Sequence, residues 1–429
     1  MSKKFKQVLF VISICVFTSI AIVKIYEPVS TRNIVINTLK RATAEIGGFI
    51  IIVYDPYVYK RKIASLSPHL DSKDDENYKI KENFLNQLEN NNYLKSHLKI
   101  VEYTNKDIIK SNFEFDYQIF DDPNLKILRE KYGLDDVINQ GETEFQKQLI
   151  LKNWVRQRWS IGEPQNVSYN FNALDILERA QKGEVFFCSE YATVYVQILS
   201  AVGITARYVG LFKGHVVVEV WSNEFDKWII MDPSYNIHYE LSKIPLNALE
   251  LHNLWINNNW KNVKVIKGDF QQPNGDKIDN HEFNLIDYYE NFYVRMRNDW
   301  LSNVYPHWYP KANSIMNGLE WSDKITKNDI RIARETNNKE DLYWSLNNVY
   351  IEMIGYSILD DKLILKVSFD TITPNFDKFL IKINKKEIIN TVQSNFDWEL
   401  HKGVNTLEVA SVNKFGIEGI LTRISINYD

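Results

Sequence analysis

The sequence predicts an α+β domain followed by an all-β sandwich, with a transmembrane helix ahead of both. Three observations lead there. Apolar residues at helical spacing run from about 142 to 202, and three β-branched, aromatic stretches follow them directly: TARYVGLF, HVVVEVWS and KWIIMDP. Short alternating strands recur over residues 349–429. Near the start, the apolar run VLFVISICVFTSIAIV (Val8–Val23) stands behind Lys3, Lys4 and Lys6.

Composition agrees with a packed, multidomain protein. The chain has 429 residues, 45% of them hydrophobic and 25% charged, which is ordinary globular usage with length for two or three domains. A formal net charge of −4 leaves no overall basic footprint, so no nucleic-acid partner is expected. An aromatic share of 13% argues against disorder.

The N-terminal run is extended by Lys24, whose long stem can snorkel, and by Ile25 and Tyr26. Residues 8–25 are therefore read as a single-pass anchor. The preceding lysines put residues 1–7 in the cytoplasm and the rest of the chain outside. A cleaved signal peptide is the second reading, but apolar residues continue past Ser19-Ile20-Ala21, a poor cleavage site.

Residues 26–130 form a juxtamembrane extension in which one helix is expected from about Ile80 to Leu98. Residues 131–335 are taken as the central domain. Its first long helix, around ETEFQKQLILKNWVRQRW, sets Phe145, Leu149, Trp154 and Val155 near one face. Asn172 can cap the next, ALDILERAQ, which Gly183 ends. A third runs through SEYATVYVQILSAVG, with Gly203 as its stop. The three strand-like stretches come next. From 240 to 335 the chain is rich in aromatic residues, including Trp255, Trp260, Trp300, Trp308 and Trp321. ETNNKED (335–341) reads as a linker, and residues 342–429 as the sandwich, with LILKVSF, FLIKIN, TLEVASV and LTRISIN as half-buried strands.

The chain has two cysteines. Cys15 lies in the apolar run, so Cys188 has no evident disulfide partner. An unpaired thiol in an exported domain is either an inert buried group or a nucleophile. Cys188 stands where a helical pattern begins, and a helix N-terminus favours a thiolate. A hairpin between HVVVEVWS and KWIIMDP, closed around Asn223 and Glu224 with Ser222 paired to Phe225, sets His215 opposite Asp232. Directly opposed side chains have Cβ atoms about 4.5–5.5 Å apart. Taken singly, Cys188 reads as a small buried hydrophobe, His215 as a strand histidine and Asp232 as a turn former before Pro233. Together they supply a nucleophile, a base and a carboxylate to orient the base.

Four blocks carry a resemblance: Phe187-Cys188-Ser189-Glu190-Tyr191-Ala192, Gly203-Ile204-Thr205-Ala206-Arg207, Gly214-His215 through Glu219-Val220, and Trp228 through Asp232-Pro233. In that order and compact spacing they resemble the transglutaminase-like superfamily core over about residues 140–240. The resemblance implies a papain-like α+β fold of helices packed on an antiparallel sheet, with Cys188 as nucleophile, His215 as base and Asp232 as orienter. Members include protein cross-linkers, cysteine proteases and peptide N-glycanases; others have no known activity. This sequence departs from the pattern in placing Val216 after His215, where Ala-Trp is frequent. Arg207 and Glu219, also within the blocks, read as structural. Trp154, Trp159, Gln165 and Gln181 are the side chains considered as oxyanion donors, and the Cys188 N–H can supply part of that hole. The pattern Trp398-x-Leu400-x-x-Gly403-x-Asn405-x-Leu407-x-Val409 is similar to immunoglobulin- or fibronectin-like modules of bacterial surface proteins, which space, support or bind.

The expected activity is thiol-dependent acyl transfer on a protein, peptide or glycoconjugate substrate. Hydrolysis is favoured over cross-linking, because an exported thioester meets water. No organic cofactor or metal is implied: P-loop, HExxH, CxxC and EF-hand patterns are absent. The alternative is a non-catalytic surface module that keeps the fold and binds a glycan or peptide. Arg295 and Arg297, close to Tyr293, Trp300, His307 and Trp308, could line a groove for an acidic or sugar ligand, or could be surface charges over an aromatic core.

Overall fold

The computed structural model describes residues 84–165, 171–211, 214–268, 287–301, 318–323 and 334–429. The anchor expected at 8–25 lies outside them, as do His307 and Trp308. Among the described residues no helix is long and apolar enough to cross a membrane.

The helix expected up to Leu98 is two short ones, α1 (Phe84–Asn90) and α2 (Asn92–His97). The break is at Asn91, whose backbone is extended and whose side chain accepts from the N–H groups of Tyr93 and Leu94, each at 3.1 Å. An asparagine that caps the start of one helix cannot also continue the helix before it. Strand β1 (Leu98–Tyr103) comes directly after.

Helices α3 (Pro123–Lys131), α4 (Leu134–Ile138), α5 (Glu144–Arg156), α6 (Ala173–Gln181) and α7 (Cys188–Ala201) form the helical layer. Their starts reflect local chemistry. Thr143 and Gln146 make a reciprocal capping box for α5, and the Asn172 side chain accepts from Asp175 N at 3.0 Å to cap α6. Helix α7 is the axis of the layer: every residue from Glu190 to Ala201 is buried. Gly203 (φ +84°) reverses the chain just beyond it.

The expected strands come next as β2 (Ala206–Leu211), β3 (His215–Ser222) and β4 (Lys227–Asp232). They form the middle of a larger sheet with β5 (Ile237–Leu241), β6 (Ile244–Pro245), β7 (Lys264–Lys267), β8 (Phe292–Arg295), β9 (Gly318–Trp321) and β10 (Arg334–Thr336). The order is β10-β9-β8-β2-β3-β4-β5-β6, with β7 also on β5. Pairing is antiparallel except between β9 and β10. One face, with Tyr208, Val218, Val220, Ile229 and Met231, packs on α7 and its neighbours. The other, with Val217, Trp221, Trp228 and Ile230, is covered by α8 (Ala248–Ile256) and by residues 342–346.

The stretch expected to be a linker is built structure. Asp341, in the short helix α9 (Lys339–Leu342), is buried and accepts from Thr336 Oγ1 at 2.6 Å and Asn112 N at 3.1 Å. A buried carboxylate must be hydrogen-bonded, which fixes this polar run against the core. Arg207 fastens the same region. Its guanidinium meets Glu219 Oε2 through Nε (2.9 Å) and Nη2 (2.5 Å), and donates to the Leu342 carbonyl. Glu219 Oε1 accepts from Ala248 N and Tyr343 OH. The structural reading of these two residues holds.

Residues 349–428 supply β11 (Val349–Leu359), β12 (Lys362–Thr371), β13 (Phe376–Ile383), β14 (Glu387–Thr391), β15 (Asn395–Leu400), β16 (Gly403–Asn413) and β17 (Thr422–Tyr428). They make two sheets around one apolar core, β11-β12-β15 facing β1-β17-β16-β13-β14. The C-terminal region is thus a β-sandwich, completed by β1 and by Phe84, Leu88 and Leu94 from far upstream. The helical core likewise begins before residue 131, since Leu125 and Leu128 of α3 lie within it.

Candidate active site

Cys188 is the first residue of α7, after Phe187 in extended conformation (φ −88°, ψ −177°). Glu190 ties this end down: its Oε2 accepts from Phe187 N at 3.2 Å and from Ser189 Oγ at 2.8 Å. The sulfur is unpaired and partly exposed. At the first helical position the Cys188 N–H has no intrahelical acceptor and points out along the positive end of the helix dipole.

His215 opens β3 directly after Gly214, which takes φ +90° in the turn from β2. That conformation suits glycine and little else. Asp232 closes β4. His215 Nε2 lies 2.6 Å from Asp232 Oδ2, and both side chains are buried. The register that joins them is not the expected one. Ser222 pairs with Lys227 and Val218 with Met231, so the hairpin is shifted by two residues. Its loop is Asn223–Asp226, with Asp226 at φ +50°. Because side chains alternate with period two, a shift of two keeps both residues on one face. His215 and Asp232 therefore meet on a diagonal past the last paired rung.

The second Asp232 oxygen is saturated. Oδ1 accepts from Ser234 N (2.9 Å), Ser234 Oγ (2.6 Å) and Tyr235 N (3.0 Å). The rings of Tyr235 and Tyr288 stand 5.3 Å and 5.9 Å from the imidazole. Burial alone would push the His215 pKa down. The charge and hydrogen bond of Asp232, joined by a hydrogen bond and charge interaction with Cys188, outweigh it and raise it to about 10. Burial pushes Asp232 up, but the His215 charge and its hydrogen bonds hold it below the usual carboxylate range. With Nε2 committed to Asp232, Nδ1 is the nitrogen left for Cys188. The structure joins His215 to Asp232 directly and leaves Cys188 within electrostatic reach of the imidazole.

Sequence reasoning missed a polar layer behind Asp232. Gln148, Lys152 and Arg156 recur every four residues along α5, and all three are buried. Lys152 Nζ lies 3.4 Å from His238 Nδ1, and His238 Nε2 lies 3.1 Å from Glu240 Oε1. Burial lowers Lys152 to about 7, against the pull of Asp232. Burial and the Lys152 charge lower His238 to about 3. Arg156 donates to Tyr191 OH (2.7 Å) and to the Trp159 carbonyl (3.2 Å). The polar spacing was a visible signal, but the apolar residues Phe145, Leu149 and Trp154 took the reading; all three are only half-buried.

The four oxyanion candidates separate clearly. Gln165 and Gln181 are exposed, and Trp154 stacks under Arg158. Trp159 is buried against Phe186 and Tyr191, on either side of Cys188, and its Nε1 has no hydrogen-bond partner among the described residues. No group of three or more His, Cys, Asp or Glu among the described residues is placed to hold a metal.

Neither the curated proteins nor the solved structures contain a match to this chain. A family model does match: residues 134–233 fit that of the transglutaminase-like superfamily. The matched interval starts at the first residue of α4, ends one residue after Asp232, and contains Cys188, His215 and Asp232. With the helix-capped thiol and the histidine–carboxylate pair inside that interval, residues 134–233 are a transglutaminase-like domain.

Proposed function

We propose that the protein is a membrane-anchored, extracytoplasmic thiol enzyme that breaks an amide-type bond through a thioester on Cys188. The carrying observation is the 2.6 Å contact between His215 Nε2 and Asp232 Oδ2, with Cys188 at a helix N-terminus within electrostatic reach of the imidazole. His215 takes the thiol proton. The thiolate adds to the substrate carbonyl, and the oxyanion is met by the Cys188 N–H and Trp159 Nε1. Asp232 keeps the imidazolium oriented. His215 gives its proton to the departing amine as the C–N bond breaks and the thioester forms. It then takes a proton from water, whose oxygen attacks the thioester. The acid leaves and the thiol is restored.

The partial exposure of Cys188 supports hydrolysis over transfer to a second amine, because water can reach a thioester there. The peptide or glycoconjugate character of the substrate rests on the amide chemistry of the superfamily. The anchor rests on Val8–Val23 behind three lysines. The immunoglobulin-like sandwich is read as a spacer or support.

Alkylation of Cys188 by iodoacetamide tests the enzyme reading. The expected result is modification faster than that of a free cysteine peptide at neutral pH, slowed about 10²-fold or more by His215→Ala. Reaction no faster than the peptide, or only after denaturation, makes the domain a non-catalytic binding module. A peptide library with a labelled amine then separates the two fates of the thioester: incorporation without release of free acid overturns hydrolysis.

A further inference from the structure

Arg295 ends β8, in the sheet that carries His215 and Asp232. Strand β8 pairs with β2 through Val209–Val294, Gly210–Tyr293 and Leu211–Phe292. One step further along that register, Arg295 falls beside Tyr208 and on the same face. This is the face that packs on α7, and Tyr208 interacts electrostatically with both Cys188 and Arg295. Arg295 thus stands one strand over from Tyr208, a residue that the charge of Cys188 also reaches.

Its state is unusual for a buried cation. Arg295 is 1% exposed, yet none of Nε, Nη1 and Nη2 has a hydrogen-bond partner among the described residues. Burial lowers its pKa to about 10, which still leaves it charged at neutral pH. Trp300 covers one flat side, 4.0 Å from the guanidinium carbon. Stacking satisfies the face of the group and leaves its N–H edge unmet. Arg297, two residues on, shows the contrast: Nε and Nη2 meet Asp299 Oδ1 and Oδ2 at 2.6 Å and 2.8 Å. Among the described residues a carboxylate meets the Arg297 fork directly, whereas Arg295 feels the Asp299 charge only at a distance and has no hydrogen bond to it. A buried guanidinium without a partner is costly, and a planar carboxylate matches its edge in two parallel hydrogen bonds.

We infer that Arg295 is a receptor for a carboxylate on the substrate of Cys188, so that the enzyme acts on acidic peptides or acidic amide conjugates. This rests on the thiol-enzyme reading above. Arg295 touches substrate in this scheme and takes no part in proton transfer.

The test uses the full chain and thiol reagents that carry the carboxylate themselves. N-iodoacetyl ω-amino acids of increasing chain length are each paired with the corresponding amide. The expected acid-to-amide rate ratio at Cys188 exceeds that of a cysteine peptide by about tenfold at one chain length, the value of one charge-assisted hydrogen-bonded contact. Arg295→Met abolishes that excess, and Arg295→Lys retains part of it. Arg295→Met also melts no lower than the parent, because it removes an unpaired buried charge. A ratio equal to the peptide's, or one unaltered in Arg295→Met, overturns the inference and leaves the thiol-enzyme reading intact. A marked loss of stability in Arg295→Met also overturns it, since the residue is then structural. Cys188 inert to acids and amides alike overturns both.

Discussion

At the scale of single residues, the His215–Asp232 pair couples the site to stability as well as to chemistry. Asp232 raises the folded-state pKa of His215 from 6.5 to about 10, against the cost of burial. The stability gained by holding that proton is fully present below pH 6.5 and is lost as pH rises to about 10. Asp232 is shifted down, so its contribution is present above pH 3.8 and lost as pH falls through its folded-state value. Lys152 works in the opposite sense on the alkaline side. Burial lowers it to about 7, so its neutralisation stabilises the fold as pH rises. A raw stability profile mixes these effects, whereas the difference between the parent and His215→Gln isolates one of them. Urea midpoints at several pH values should show the parent's advantage shrinking steadily from pH 6.5 to about 10. A difference that stays flat over this range means that the imidazole is not charged in the folded protein.

At the scale of elements, the ion pair between β2 and β3 determines what lies on the far face of the sheet. Arg207 and Glu219 are both fully buried, and Trp228 and Trp344 stack on the guanidinium at 4.0 Å and 4.9 Å. Glu219→Gln leaves that cation without its counter-charge and should cost about 3–5 kcal/mol in urea unfolding. The double variant Arg207→Met/Glu219→Gln should cost less, because the amide oxygen can still accept from Ala248 N and Tyr343 OH. Equal losses in the two would mean that charge is irrelevant there. These elements were legible in the sequence because period and capping are local: the apolar period, Asn172 and the β-branched runs mark α5, α6, β3 and β4 where they form. The face shared by His215 and Asp232 was legible for the same reason, since parity survives a shift of two. The register itself was not, because it depends on Asp226 adopting a left-handed conformation at the end of the loop. The buried stripe Gln148, Lys152, Arg156 was hidden as well. Its partners, such as His238 and Tyr191, come from other elements that no local pattern brings together.

At the scale of the whole molecule, the chain closes on itself. Strand β1 adds to β17, pairing Leu98 with Tyr428 and Ile100 with Ile426 across more than three hundred residues. Asn105 reaches the opposite sheet, where its side chain accepts from Ile351 N at 2.8 Å and donates to Ile351 O at 2.7 Å. The sandwich in turn grips the β3–β4 hairpin. Asn347 Nδ2 donates to Asn223 Oδ1 at 3.0 Å, and Asn348 Nδ2 to Asp226 Oδ1 at 2.8 Å, both in the β3–β4 loop. Phe415 Cβ sits where a Cβ on Gly203 would lie, 2.6 Å away, so the end of α7 is keyed to the same module. A chain starting at residue 106 should therefore lose more than an N-terminal extension. It exposes the edge of β17 and uncovers the places of Phe84, Leu88, Leu94 and Leu98, each worth about 1.5–3 kcal/mol when buried. Against a typical net stability of about 5–15 kcal/mol, that loss should unfold or aggregate the sandwich. The β3–β4 loop would then lose its two asparagine clamps. Compared with a chain starting at residue 84, the shorter one should show a lower melting temperature and slower iodoacetamide modification of Cys188, although it retains every residue from 134 to 233. Unchanged melting and unchanged thiol reactivity would mean that the sandwich stands without β1 and that the hairpin holds its register alone.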